Sequence, residues 1–318
     1  MPGTGIDAYA TIFTESTYGT TPGTGGTTVR IVEDNWKRDA QQTRGNRGLG
    51  RASVSNIRNK NKKAGGTFKF DAQYEGLERL LLHFFGAVST SGAGADKTHT
   101  FTPSLTRQVG LSIKAGRSTS LETFPGGKLN ALNFDISNEI LQMEVGGLSK
   151  MGSTAAAAAG SGYPSAPDVL ALEATNGLSV LLDSTAIDIS GATASLSWPH
   201  TEDRERLGDP EIREPLISDH LAITGSLTRE FDDTNQLAKF LADTNFVLEF
   251  NFKSDTVIPT TATMYEWRIK FFNCLWTASE QPVSEAGPII ETLPFVAYED
   301  ASGNIAEVVM VNGTASVS

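Results

Sequence analysis

The chain of 318 residues has a single cysteine, Cys274, which excludes an internal disulfide. It sits in the apolar run FFNCLW, where a buried and inert thiol is expected. Long hydrophobic runs are missing as well. The longest, LLLHFFGAV, is broken by His83 and falls far short of the ~20 residues that span a bilayer as a helix. The opening MPGTGIDAYATIFTESTYG lacks a basic segment followed by an apolar one, so no secretory signal is read and cytoplasmic folding is expected. Basic charge is in deficit. The 26 Lys and Arg against 37 Asp and Glu leave a formal net charge of −11, which argues against holding nucleic acid by counterion release. The same charge suits a passage along which DNA slides without sticking.

Catalytic and ligand-binding patterns are also wanting. His83, His99, His200 and His220 are too dispersed for metal-ligand spacing, and there is no Cys/His cluster. SGAGADKT resembles a phosphate-binding loop only superficially, because Ser91 and Asp96 stand where that loop needs glycine. GTGGTT, near residue 24, lacks the preceding strand and following helix of a dinucleotide loop. No Gly-x-Ser-x-Gly elbow occurs. The acidic pairs Glu33/Asp34, Glu202/Asp203 and Asp232/Asp233 read as solvated or capping groups. An enzyme is not expected, and no cofactor or metal is called for.

What is present is β patterning. Apolar residues alternate in TFKFDA (Phe68, Phe70, Ala72), VGLSIK (Val109, Leu111, Ile113), ASLSW (Ala194, Leu196, Trp198) and VLEFNFK (Leu248, Phe250, Phe252), so each segment has one buried face. Thirty-one glycines and many Ser/Thr clusters supply turns. Two helices stand against about a dozen strands in this reading. YEGLERLLLHFFG places Leu77, Leu80, Leu81 and Phe84 on one stripe with Gly86 closing it. DDTNQLAKFLADT has Asp and Thr as candidate N-caps and Leu237, Phe240 and Leu241 on its stripe. The N-terminal thirty residues and the tail VNGTASVS read as arms ordered by docking. The NGT at Asn312 matches a glycosylation acceptor but carries little weight without a secretory signal.

The two strand-then-helix segments suggest a chain built twice. Gly66 faces Gly225, and Leu77/Leu80/Leu81 face Leu237/Phe240/Leu241. LSIK ending at Lys114 then matches FNFK ending at Lys253, and KLNALNF around Asn130 matches FFNCLW around Asn273. Each unit follows a charged, arginine-rich stretch with an early tryptophan: Glu33 to Arg51, and Trp198 to Glu214. The expected organisation is a first module over 1–152, an Ala/Gly/Ser/Pro linker over 153–168, and a second module over 169–318. The basic run from Arg44 to Lys63 has no interleaved aromatics to support a nucleic-acid reading, and it and the mixed-charge run TEDRERLGDPEIREP read as solvated loops or as contacts between subunits. For the second reading the contact residues are Trp36, Arg44, Arg47, Arg51, Arg204, Arg206, Glu211 and Arg213.

Several segments resemble the tail tube proteins of long-tailed phages. AYATIFTESTYGTTPG carries the E-x-x-Y-G-T-x-P string, here Glu15 to Pro22. AGGTFKFDAQYEGLERLLLHFFG, HTFTPSL and FPGGKLNALNFDI resemble later parts of the same family, covering most of residues 8 to 150. The likeness is looser in the second half, where ITGSLTREFDD is the best piece. The resemblance implies a mainly β fold: two tandem β-sandwich or partly open barrel modules, each flanked by one α-helix. It implies a structural virion protein of a siphophage tail, assembled in the bacterial cytoplasm, that self-associates into stacked rings (a trimer, with a hexamer as the alternative). Tape measure, tail tip and terminator proteins would be its partners, and double-stranded DNA would pass through unbound, with no membrane involved. The alternatives are another ring-forming tail part, such as a baseplate, terminator or connector subunit, and a carbohydrate-binding β-sandwich. The latter needs an exposed aromatic cleft.

Overall fold

The computed structural model describes residues 8–44, 57–117, 120–137, 139–156, 171–202, 204, 206–282 and 287–317. Nineteen strands and three helices occur among them, in two series. The first begins with β1 (Ala8–Glu15), β2 (Thr27–Arg30), β3 (Glu33–Asp34), β4 (Lys37–Arg44), β5 (Ile57–Asp71) and helix α1 (Glu78–Phe85). It continues with β6 (Gly86–Ser91), β7 (Lys97–Pro103), β8 (Gly110–Arg117), β9 (Ser120–Asp135), β10 (Gln142–Ser149) and β11 (Ser153–Ala156). The second begins with the single turn α2 (Ala174–Gly177), then β12 (Leu178–Leu182), β13 (Thr185–Ala186), β14 (Gly191–Ser197), β15 (Ala222–Glu230) and helix α3 (Asn235–Leu241). It ends with β16 (Phe246–Val257), β17 (Met264–Trp276), β18 (Ile290–Ala297) and β19 (Ala306–Asn312).

The fold is mainly β, and its sheet is not closed into a barrel. In the first series β2, β1, β8, β9, β10 and β5 are successive antiparallel neighbours. β3 and β4 lie along the far side of β5, and β11 lies along the start of β9. In the second series β13, β12, β16, β17, β18 and β15 follow in the same order. There β14 lies along the far side of β15, and β19 lies along the start of β17. The hairpin of β6 with β7 belongs to the first series alone among the described residues.

Two pairings cross between the series. Thr193–Ser197 of β14 pair with residues 131–135 of β9, and Val308–Asn312 of β19 pair with residues 97–101 of β7. The apolar core is correspondingly continuous: Phe134 of β9 meets Trp267 of β17 edge-on, ring centroids 5.7 Å apart. Alternation explains why these strands face as they do. Phe68, Phe70, Leu111, Ile113, Ala194, Leu196, Leu248, Phe250 and Phe252 are all buried. Val109 falls just before β8 and is exposed.

Several expectations need correction. The strands far outnumber a dozen, partly because the N-terminal arm and the tail are strands themselves. Residues 8–15 form β1 between β2 and β8, and β19 seats on β17 and β7. Residues 153–156, placed in the linker, form β11 on β9, and 157–168 lie outside the described residues. Helix α1 is buried on nearly every side, Glu78 and His83 included, rather than along one stripe. In α3 only Gln236 is buried, and Leu241 is 73% exposed.

Candidate assembly surfaces

The charged stretch after Trp198 folds back on itself. Arg204 donates to the Glu214 carbonyl at 2.6 Å, the Arg213 N–H donates to the Arg204 carbonyl at 3.1 Å, and Asp209 accepts from the Glu211 N–H at 3.0 Å. It then docks on the first series. The Lys62 N–H donates to the Pro210 carbonyl at 2.7 Å, and the Ile212 N–H donates to the Lys62 carbonyl at 3.2 Å. Lys63 pairs with Glu202 at 2.9 Å and Lys128 with Glu214 at 2.7 Å. The basic run and the mixed-charge run therefore meet each other inside one chain. Arg206 is exposed and Leu207 fully so at the tip, while Arg204, Glu211 and Arg213 are half-buried.

The first-series residues fare differently. Trp36 is 1% exposed. Its ring stacks on Phe68 at 5.1 Å, packs against Phe124, and donates its indole N–H to Ser149 Oγ at 3.3 Å. It is a core residue, enclosed by its own chain. Arg44 ends β4. Arg47 and Arg51 lie outside the described residues. Pattern alone could not separate a buried tryptophan from a surface one in a stretch otherwise charged.

The N-terminal motif has a structural role that spacing did not disclose. The Glu15 carboxylate, 2% exposed, accepts from Ser112 Oγ, from the Gly19 N–H at 2.7 Å and from the Gly126 N–H at 2.8 Å. It thereby ties the arm's turn to β8 and to the bend of β9, where Gly126 has φ 69°. Tyr18 lies between the ammonium groups of Lys128 and Lys150, 5.9 and 5.4 Å from its ring centre. Burial first, then nearby carboxylates led by Glu214, raises the Tyr18 pKa.

The tail makes a clasp on the turn before α1. The Asn312 amide, wholly buried, donates to the Tyr74 carbonyl at 2.9 Å and to Glu78 Oε1 at 2.7 Å. The Gly313 N–H donates to Glu75 at 3.1 Å, and Thr314 Oγ1 donates to Glu78 at 2.8 Å. An asparagine so engaged is closed to glycosylation. Cys274 is equally enclosed, and burial pushes its thiol up to about 12.

All four tryptophans, Trp36, Trp198, Trp267 and Trp276, are buried. The described residues thus hold no tryptophan-lined sugar cleft, nor any group of three or more His, Cys, Asp or Glu able to hold a metal. No helix among them is long and apolar enough to cross a membrane. The family model described as phage tail tube protein matches residues 5–297. The chain belongs to that family. None of the curated proteins matches it. A tail tube subunit is a structural component of the phage tail that self-assembles with other tail proteins. A sheet that is not closed accords with that role, since unpaired edges are a hazard in a solitary protein and an interface in an assembled one.

Proposed function

We propose that the chain is two fused copies of one tube-forming module, and that three chains close into a ring of six modules. The rings stack head to tail into the tube of a siphophage tail. The observation that carries this reading is the identical order of strand pairing in the two series. The registers support it too. Lys114 pairs with Thr123, seven residues before Asn130, and Lys253 pairs with Glu266, seven residues before Asn273. In this reading the first module runs through Ala156, and the second begins near residue 169.

A heterologous contact that repeats without closing makes a filament. Arg206 and Leu207, outermost on their loop, are the residues of the charged stretches best placed to touch the next ring. The net charge of −11 suits a lumen through which double-stranded DNA passes unbound. Assembly takes place in the bacterial cytoplasm, with tape measure, tail tip and terminator proteins as partners. Electron microscopy of the purified protein tests this. Hollow tubes with three-fold symmetry end-on, approaching six-fold, are expected. Single rings that never lengthen would favour a baseplate, terminator or connector part, and compact monomers at high concentration would overturn tube formation altogether.

A further inference from the structure

If the chain holds two equivalent modules, the junction inside it is a template for the junction between chains. Within the chain, second-series strands close the first series. β14 covers β9, β19 covers β7, and the residues after Val311 clasp the turn leading into α1. The first-series strands in corresponding places are β3 and β4, flanking β5 as β14 flanks β15, and β11, flanking β9 as β19 flanks β17. Among the described residues, the registered ladders pair β3 and β4 with β5, and β11 with β9. No second strand among the described residues lies along them, and the Ser153 carbonyl of β11 accepts from Arg38 of β4 at 3.0 Å.

Register makes the correspondence specific. Thr123 pairs with both Lys114 and Ser153, and Glu266 pairs with both Lys253 and Val311. Ser153 therefore stands where Val311 stands, and Thr154 where Asn312 stands. Asn312 is wholly buried in its clasp, whereas Ser153, Thr154 and Ala155 are exposed. The receiving side shows the same imbalance. The turn into α1 and the helix are covered, while α3 leaves Leu241 73% exposed, with Leu237 and Phe240 only part-buried.

We propose that β11 of one chain seats on α3, and the turn before it, in the next chain, in the place that the tail takes on α1 within the chain. This rests on the two-module reading above. The occupant is a second copy because the chain's own second series already shows what such a strand binds. The two junctions would not be identical, since the β6–β7 hairpin that receives β19 has no partner hairpin in the second series. The junction between chains therefore lacks one strand pairing that the junction within the chain has.

Cross-linking of mixed single-cysteine variants tests this, and the buried Cys274 leaves a quiet background. Ala155→Cys and Thr234→Cys protein, mixed, assembled and treated with a short bismaleimide, should give a covalent dimer. Ala155→Cys mixed with Ser302→Cys, on an exposed turn, should give none. Leu241→Lys should leave the melting temperature unchanged and abolish tubes. Tubes that form without the first cross-link, or with Leu241→Lys, overturn the proposed junction while leaving tube formation standing. Tubes in which a Leu241→Cys thiol stays reactive point to α3 as a seat for another tail protein, and overturn it equally. Wild-type protein that never assembles overturns the function reading and this junction together.

Discussion

Glu15 shows how much one carboxylate can organise. Its three donors come from the arm's turn, from β8 and from the bend of β9, so the residue joins segments that no local propensity would bring together. Glu15→Ala strands those donors in a site with almost no water. The expected loss is about 3 kcal/mol, since each unmet buried group costs ~1–3 kcal/mol, read from the urea midpoint. His83 offers a test by pH. Burial, then the charges of Lys128, Arg107 and Arg79, pushes its imidazole down to about 3. Between about pH 6.5 and that value the unfolded chain takes up a proton that the folded chain refuses. The contribution of neutral His83 is complete above pH 6.5 and is lost as pH falls, at up to ~1.4 kcal/mol per pH unit. His83→Gln should flatten that part of the stability profile, and an unaltered slope would mean the histidine is protonated in the folded protein.

The two helices divide the elements into a finished and an unfinished case. Helix α1 stops at Gly86, whose φ of 94° is left-handed and whose N–H caps the Leu82 carbonyl. A methyl group there would come within 2.9 Å of the Thr106 and Ser104 carbonyl oxygens. Gly86→Ala should therefore cost at least ~2 kcal/mol, since the conformation alone costs ~1–2 kcal/mol, with a matching fall in melting temperature. Helix α3 is held differently. Asp233 accepts from the Asn235 N–H at 2.9 Å and also binds Arg229, whose guanidinium pairs with the fully buried Glu291 at 2.9 Å. Burial by itself lowers the Arg229 pKa, and the Glu291 hydrogen bond with the three neighbouring carboxylates outweighs it, leaving it raised. Glu291→Ala would leave that arginine, and the Ser279 and Gln281 donors, short of their acceptor. Arg229 keeps Asp232 and Asp233 as partners, so a loss of ~1–3 kcal/mol is expected for the unmet buried donors, measurable by denaturation.

At the scale of the molecule, the two series are joined by strand pairing and by a shared core. The strand pairings of β9 with β14 and β7 with β19, together with an apolar core that runs through Phe134 and Trp267, bind each half to the other. Unfolding should accordingly be one cooperative event, because neither half keeps a complete core alone. Calorimetry and tryptophan fluorescence should report a single, coincident transition. Two separated transitions would mean that the modules are stable apart.

The sequence by itself determined which strand faces are buried, where α1 ends, and the family resemblance. These depend on local periodicity and on short motifs, such as the string from Glu15 to Pro22. Only the tertiary structure decided that Trp36 belongs to the core, that Lys62 and Lys63 meet the loop after Trp198, and that the tail strand returns to β7. A period of two states which side of a strand is apolar and says nothing about which strand lies beside it. Partners are chosen by edges and registers brought together across the whole chain.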